Sequence, residues 1–191
     1  MIDKKLVSFE TENQSFVAAL YQLAKQGEIL INMEILNGPQ QAEDKRTLRL
    51  KDVTVREVLD ILMETVEHRY NWQPFEHSDS GVISVIPAEK IDDPGYLPNR
   101  IIDSFKHEEL VSLLCMKSLF PPEVWSRRMM RSEDVQPTFS LHVQNASVRY
   151  ILNSMSKATS FIWSYFPPVF SLWGMTPLGR IRARYTPRAF Y

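Results

Sequence analysis

The side chains best suited to acid–base or metal chemistry in this sequence are its histidines. They are His68, His77, His107 and His142. His68 and His77 flank an aromatic segment and each has a glutamate beside it, so a metal pair is conceivable there. Two solvated loop histidines are the simpler interpretation. His142 lies between two apolar strand residues and is expected to point off the buried face.

Adjacent acids and a single cysteine complete the set of reactive side chains. Asp92–Asp93 and Glu108–Glu109 are neighbours in sequence. Solvation of a linker and favourable charge at a helix start explain them better than an acid–base couple does. One cysteine excludes an internal disulfide and a multi-cysteine metal site. Cys115, within LVSLLCMKSLF, is expected to be a small buried apolar residue.

Short catalytic motifs are missing from the sequence. It contains no P-loop, no GxGxxG, no GxSxG and no HExxH. We therefore expect no enzymatic activity, no cofactor, no metal ion and no small-molecule substrate.

Aromatic residues concentrate in two predicted hairpins. The first contains Tyr70, Trp72 and Phe75, and the second contains Phe161, Trp163, Tyr165, Phe166, Phe170 and Trp173. One face of a two-stranded ribbon cannot bury so many rings, so some should lie on a surface, where either the C-terminal tail or a partner covers them. Alternation sends the odd-numbered rings of 161–165 to one side and Ile162 and Phe166 toward the other. The candidate partner-binding aromatic residues are Tyr70, Trp72, Trp163 and Tyr165.

Arginines near the C-terminus alternate with less polar residues in the stretch RIRARY. These candidates for partner binding are Arg180, Arg182 and Arg184. The period is typical of an edge strand or a frayed terminus. It also suits a basic arm for nucleic acid or acidic protein, which could enlist Arg127, Arg128 and Arg131. Because the whole chain has a formal net charge of −1, phosphate binding would have to be local.

Two stretches that must position these side chains nearly repeat one another. TLRLKDVTVREVLDIL begins at Thr47 and SLHVQNASVRYILNSM begins at Ser140. The coinciding pairs include Leu50 with Val143, Asp52 with Asn145, Arg56 with Arg149, Leu59 with Leu152, and Asp60 with Asn153. This pattern predicts a tandem duplication.

The first half reads as β-α-β-β-α-β-β. A short strand at 6–9 precedes a helix that Asn13 or Ser15 can cap and that Gly27 ends. EILINMEIL alternates as a strand with one buried face. After the next strand, Thr54 and Glu57 have the spacing of a capping box ahead of a helical stripe. The stripe consists of Val55, Val58, Leu59, Leu62 and Val66. Residues 70–75 and 82–86 form a closing hairpin.

The second half repeats this order less regularly. A helix from Glu108 is stopped by Pro121, EVWSRRMMRSEDV alternates poorly, and Ser147 caps the matching helix. Its stripe consists of Val148, Ile151, Leu152 and Met155, and a hairpin follows at 161–166 and 169–173. We therefore predict an α+β fold of two tandem modules. They comprise residues 1–87 and 100–175, joined by a Pro- and Gly-containing linker at 88–99 and followed by a basic tail at 176–191.

Composition limits the remaining possibilities. With 191 residues, 44% of them hydrophobic, the chain is ordinary for a globular protein of one or two domains. No apolar run approaches the ~20 residues of a membrane span. The start, MIDKKLVSFET, lacks the apolar stretch of a secretory signal. The chain is therefore expected to be either cytoplasmic or a mature periplasmic or cell-envelope segment from which a signal peptide was removed.

The order of elements resembles the small N-terminal domain shared by outer-membrane secretins and signalling TonB-dependent receptors. RTLRLKDVTVREVLDILMETVEHRYNW and GVISVIP carry this resemblance, which covers residues 6–87 and, less closely, 101–173. It implies a compact α+β interaction module acting in the bacterial periplasm. The sequence therefore leads to a non-catalytic protein–protein interaction module of a bacterial envelope protein. Nucleic-acid binding through the arginine-rich tail is the alternative.

Overall fold

Helices and strands alternate along two compact units. The computed structural model describes residues 1–36, 45–66, 70–108, 119, 138–167 and 169–174. These residues have the predicted α+β fold class. The units are Met1–Ile91 and Asp92–Tyr191, so their boundary lies within residues 88–99.

The first unit has the predicted order of elements. Its strands and helices are β1 (Lys5–Ser15), α1 (Phe16–Gly27), β2 (Leu30–Glu34), β3 (Lys45–Thr54), α2 (Val55–Glu64), β4 (Tyr70–Pro74) and β5 (Val82–Pro87). A 3-10 turn follows at Ala88–Lys90.

The described part of the second unit begins with another 3-10 turn, Leu97–Asn99. Its further elements are β6 (Ile101–His107), β7 (Leu141–Ser147), α3 (Val148–Thr159), β8 (Phe161–Phe166) and β9 (Val169–Gly174). Apart from Glu108 and Leu119, the predicted helix that Pro121 stops lies outside the described residues. The stretch EVWSRRMMRSEDV and the basic tail lie outside them entirely.

Side-chain caps start all three described helices. Ser15 rather than Asn13 caps α1, and its hydroxyl accepts from the Ala18 amide at 3.2 Å. Thr54 and Glu57 form the predicted capping box of α2. Ser147 caps α3 by accepting from the Tyr150 amide at 3.1 Å. The start of each helix is therefore determined by residues within one turn of it.

The apolar stripes of α2 and α3 lie in the cores of their units. The buried predicted positions are Val55, Val58, Leu59 and Leu62 in α2, and Val148, Ile151, Leu152 and Met155 in α3. Val66 lies just beyond α2 and is partly exposed. Burial of such a stripe supplies most of a helix's stability in a folded protein.

Gly27 is the last residue of α1, but its role differs from that of a left-handed helix cap. Glu28 adopts the left-handed conformation that terminates the helix, with φ of 56°. A Cβ added to Gly27 would lie 3.0 Å from Cγ2 of Val55. The lack of a side chain at Gly27 therefore lets the end of α1 approach the start of α2 closely.

Each unit contains a two-stranded antiparallel ribbon, β1–β3 in the first and β6–β7 in the second. In each ribbon the second strand has a residue with a left-handed backbone at the equivalent position. Asp52 in β3 has φ of 51° and Asn145 in β7 has φ of 50°. In the β1–β3 ribbon, Leu6 pairs with Val53 and Ser8 pairs with Lys51, but no pair forms at Asp52 between them. In the β6–β7 ribbon, Ile102 pairs with Ala146 and Ser104 pairs with Gln144, and again no pair forms at Asn145 between them. Asp and Asn tolerate this conformation better than other residues with a side chain.

The β4–β5 hairpin is present as predicted, and β2 runs parallel to β5. Trp72 pairs with Val85 across the hairpin, while Leu30 of β2 pairs with Val82. The prediction that only one face of β2 is buried is wrong, because Asn32 and Glu34 are as inaccessible as their apolar neighbours. Parallel strands are typically covered on both faces.

The second hairpin, β8–β9, is also present, with Trp163 opposite Leu172. Alternation of the sequence places Trp163 and Tyr165 on one side of β8 and Ile162 on the other. All four residues from Ile162 to Tyr165 are buried. Both faces of this strand are therefore covered.

The predicted linker at 88–99 is more ordered than its composition indicates. Besides its two 3-10 turns, it buries Tyr96, whose ring centroid lies 5.6 Å from that of Tyr165. The Asp93 carbonyl accepts from the Asn99 side chain at 2.8 Å. The part of this segment after Ile91 belongs to the second unit.

Candidate functional site

Three of the four candidate aromatic residues lie in the interior. Tyr70 is 4% exposed and packs against Phe16, with ring centroids 5.3 Å apart. Burial raises the pKa of Tyr70. Tyr165 is 7% exposed, and Trp163 is 0% exposed. In this conformation these side chains have almost no area to offer to a partner.

Trp163 is held in its buried position by a polar contact as well as by packing. Its indole Nε1 donates to Oδ1 of Asn153 on α3 at 3.0 Å. Its ring stacks near Phe170 with a centroid separation of 6.3 Å. A buried indole N–H needs such an acceptor, because an unmet donor in the interior is costly.

Trp72 is the candidate aromatic residue that remains partly exposed. Its indole Nε1 donates to Oδ1 of Asp60 at 2.7 Å. The guanidinium carbon of Arg56 lies 5.5 Å from the centre of its ring. This distance is within the range of a cation–π interaction.

Arg56 also connects this site to the start of the chain. Its Nε donates to Oδ1 of Asp3 at 3.0 Å, and both side chains are substantially exposed. Its backbone amide donates to the carbonyl of Ile2 at 2.9 Å. An exposed ion pair contributes at most about 1 kcal/mol. The pair mainly orients the guanidinium beside Trp72. We call Asp3, Arg56, Asp60 and Trp72 the Trp72 cluster.

Helical spacing brings Arg56 and Asp60 of the Trp72 cluster together. Arg56 and Asp60 are four residues apart on α2, so they lie on one face of the helix. The capping box at Thr54 fixes where that helix begins. Trp72 of β4 lies beside this face, where it contacts both side chains.

The second unit contains the same arrangement with different chemistry. Arg149 stands where Arg56 stands in the repeat, and its Nη1 donates to Oδ1 of Asn99 at 2.6 Å. Asn153 stands where Asp60 stands and likewise accepts from a tryptophan. The first unit therefore has a charged, partly exposed version of a contact that the second unit buries.

The shifted acid–base groups of the described residues have structural explanations. The Thr54 backbone and hydroxyl, donating to Glu57, lower the pKa of that carboxyl. The Lys4 ammonium, 2.7 Å from Glu28, lowers the pKa of Glu28. Burial raises the pKa of Tyr21 to about 12. Helix capping, an ion pair and packing account for these shifts.

The histidines are dispersed. His77 and His142 are exposed, whereas His68 lies outside the described residues. The ring of His107 lies 4.7 Å from that of Phe139 and 6.3 Å from that of Phe105. Among the described residues, no three His, Cys, Asp or Glu side chains are grouped to hold a metal ion.

Arg180, Arg182 and Arg184 lie outside the described residues, as do Cys115 and the Arg127, Arg128 and Arg131 group.

Sequence reasoning identified Trp72 but missed the side chains that hold it. Arg56 and Asp60 have a four-residue helical spacing and both belong to the repeated pairs. That spacing could have indicated a shared face. The contact with Trp72 and the involvement of Asp3 could not be inferred, because they depend on tertiary structure.

Comparisons with known proteins give no relative for this chain. No family model, no curated protein and no solved structure matches it. Within the part of the chain that the structure describes, each helix is too short or too polar to cross a bilayer.

Proposed function

We propose that this chain is a non-catalytic protein–protein interaction module of a bacterial envelope protein, and that the Trp72 cluster is part of its contact surface. The observation that carries the proposal is the contact of Arg56 with the partly exposed ring of Trp72. Tryptophan and arginine are the side chains most enriched among residues that dominate binding energy at protein interfaces.

Preorganisation strengthens the case for this surface. The hydrogen bond to Asp60 fixes the orientation of the Trp72 indole, and Asp3 restrains Arg56. Side chains that are already ordered lose less conformational entropy when a partner binds. The cluster thus offers a flat apolar face and a cation in a defined geometry.

The duplicated unit provides an internal comparison. Asn153 and Trp163 form the equivalent hydrogen bond in the interior. This contact can therefore serve a purely structural role with a neutral acceptor and no solvent-accessible ring. The exposure and charge at Trp72 are differences that packing alone does not require.

The periplasmic location in this proposal depends on the resemblance to the N-terminal domain of secretins and signalling TonB-dependent receptors. The order strand, helix, strand, strand, helix and hairpin in Met1–Ile91 is the order that this resemblance implies. Both helices of this unit present buried stripes, as a compact α+β interaction module requires.

A capture experiment with the full chain tests the proposal. The immobilised protein and its Trp72→Ala variant are incubated with a bacterial envelope extract, and bound proteins are identified and quantified. We expect at least one protein to be retained specifically by the native chain and its affinity to fall about thirtyfold in Trp72→Ala, since truncating an interfacial hot spot costs ~2 kcal/mol or more.

The matched control is Gln73→Ala, which changes an exposed neighbour on the same strand. It should leave capture unchanged. Unchanged capture by a folded Trp72→Ala variant would contradict the assignment of this surface. The alternative function is nucleic-acid binding through Arg180, Arg182 and Arg184.

A further inference from the structure

A second surface of the first unit is an unpaired strand edge. Strands β1 and β3, of 11 and 10 residues, form a sheet of only two strands among the described residues. Long unpaired edges are templates for the addition of another strand. The two edges of this ribbon differ in what surrounds them.

The outer edge of β1 is partly occupied by α1. The side-chain Nε2 of Gln22 donates to the carbonyl of Glu10 at 2.5 Å. The Glu10 carbonyl therefore points away from β3. On β3, the described residues pair only with β1. The edge that can accept a further strand is that of β3.

The backbone of Arg49 is directed toward this edge. Arg49 lies directly opposite Glu10 in the antiparallel register. In such a pair, both residues turn their amide and carbonyl groups either toward or away from one another. Because the Glu10 carbonyl points outward, the Arg49 amide and carbonyl point outward on the opposite side. The next residue, Leu48, has its amide turned inward to the Thr11 hydroxyl at 3.1 Å.

Basic side chains accompany these backbone groups. Lys45, Arg49 and Lys51 are exposed and lie on the same side of β3. Alternate residues of a strand are separated by ~7 Å, which is also the spacing of alternate residues in a neighbouring strand. Strand β3 as a whole has four basic residues and one acid.

We infer that the outer edge of β3 binds an extended, acidic segment of a partner protein, which adds to the ribbon as a third strand and places Asp or Glu at alternating positions beside Lys45, Arg49 and Lys51. Its backbone pairs with the outward groups of Arg49. This inference rests on the proposed function, since it assumes a protein partner, and it names a second contact surface.

Charge selects this occupant over a second copy of the chain. Two β3 edges brought together would juxtapose lysines and arginines, which is unfavourable. A strand with Asp or Glu at alternating positions would instead place carboxylates beside these basic side chains, which is favourable. The basic residues therefore disfavour the pairing of two β3 edges and favour an acidic partner.

The neighbouring strand disfavours nucleic acid. Glu10 faces Arg49 across the ribbon, and Glu12 is exposed on the same strand as Glu10. A polyanion lying across the ribbon would meet these carboxylates. A peptide at the β3 edge lies one strand farther from them and uses backbone hydrogen bonds that a nucleic acid cannot supply.

The test uses a fluorescein-labelled ten-residue peptide of alternating Glu and Thr, with anisotropy measured against the full chain. We expect saturable binding, weakened roughly tenfold by Arg49→Glu, because a favourable cross-strand charge pair becomes a repulsive one. Lys25→Glu is the control, since it changes the net charge equally at an exposed position of α1. It should leave binding unchanged.

A second probe separates strand addition from simple charge attraction. Two versions of the same peptide carry N-methyl groups on alternate backbone amides, one on the Glu residues and the other on the Thr residues. Both keep their carboxylates. Each has lost the hydrogen-bond donors along one of its two edges. One of the two methylated peptides should lose binding. Equal binding of both methylated peptides, equal binding by Arg49→Glu, or no binding of the parent peptide would overturn the inference. Arg49-dependent binding of random oligonucleotides with no peptide binding would overturn it in favour of a nucleic-acid site.

The proposals for the two surfaces can be contradicted independently of one another. Trp72→Ala should bind the acidic peptide as the native chain does. If the peptide does not bind but Trp72-dependent capture is observed, only the proposal for the β3 edge is contradicted. If the peptide binds but no Trp72-dependent capture is observed, only the proposal for the Trp72 cluster is contradicted.

Discussion

At the scale of single residues, the two tryptophans show how one hydrogen bond serves two environments. Trp72 donates to Asp60 at the surface, and Trp163 donates to Asn153 in the interior. Water can replace the acceptor at the first site but not at the second. The energetic consequence of removing the acceptor should therefore differ between the units.

Asn153→Ala should lower the free energy of unfolding by about 1–3 kcal/mol, because the buried indole N–H loses its acceptor. Asp60→Ala should cost less than about 1 kcal/mol, because the Trp72 indole can donate to solvent. Urea denaturation of the two variants provides the comparison. Equal costs, or a larger cost for Asp60→Ala, would show that the two contacts are energetically alike.

Tyr21 should make stability depend on alkaline pH. Burial raises its pKa from 10.0 to about 12, so the unfolded chain loses a proton near pH 10 that the folded chain keeps. The free energy of unfolding should fall as the pH rises from about 10 to 12, by up to about 1.4 kcal/mol per pH unit. Denaturation between pH 9 and 11.5 measures this slope. Tyr21→Phe should make it shallower, and an unchanged slope would contradict the assignment.

At the scale of elements, the left-handed residues shape both ribbons. On either side of Asp52 the burial pattern of β1 and β3 shifts by one position, so that Val7 and Ser8 are both exposed while Leu6 and Phe9 are buried. Asn145 produces the same shift in the second ribbon. A single residue in each ribbon thereby decides which side chains reach the core.

Asp52→Val and Asn145→Val should each lower the free energy of unfolding by about 1–2 kcal/mol, because a β-branched residue is strained at positive φ. Asp52→Gly should be tolerated, since glycine adopts this conformation freely. Lys51→Val is the matched control, because it adds the same side chain at the neighbouring exposed position. Chemical denaturation that shows the same change for Asp52→Val and Lys51→Val would argue against strain at Asp52.

At the scale of the whole molecule, the two units share one order of elements among the described residues. Each unit has a ribbon, a capped helix and a hairpin, and an arginine near the helix start contacts the segment before the ribbon. The polar contacts are charged in the first unit and partly neutral in the second. The proposed binding surfaces accordingly lie in the first unit.

The net charge of −1 predicts weak interaction with nucleic acid. Random single- and double-stranded oligonucleotides should not bind measurably at ~150 mM salt. If Arg127, Arg128, Arg131 and the three arginines of RIRARY contacted six phosphates, affinity would fall by orders of magnitude between ~50 and ~200 mM salt. A titration across this range, repeated without residues 176–191, checks the expectation. Micromolar, salt-sensitive and tail-dependent binding would favour the alternative function.

The sequence by itself determined the local elements. Ser15, Thr54 and Ser147 predict helix starts because a capping side chain and the backbone amides that donate to it lie within one turn. The stripe from Val55 to Leu62 predicts a buried face because helical periodicity is a short-range property. The order of elements in the first unit and the two hairpins follows from such signals.

Tertiary structure decided which of these elements meet. Strand β2 pairs in parallel with β5, some fifty residues away, and its Asn32 and Glu34 become buried. Alternation therefore overestimated the exposure of β2. The contact of Trp72 with Arg56 and Asp60 likewise joins a strand to a helix. Burial and side-chain pairing between distant segments depend on the packed chain, whereas caps and periodicity depend on neighbours in sequence.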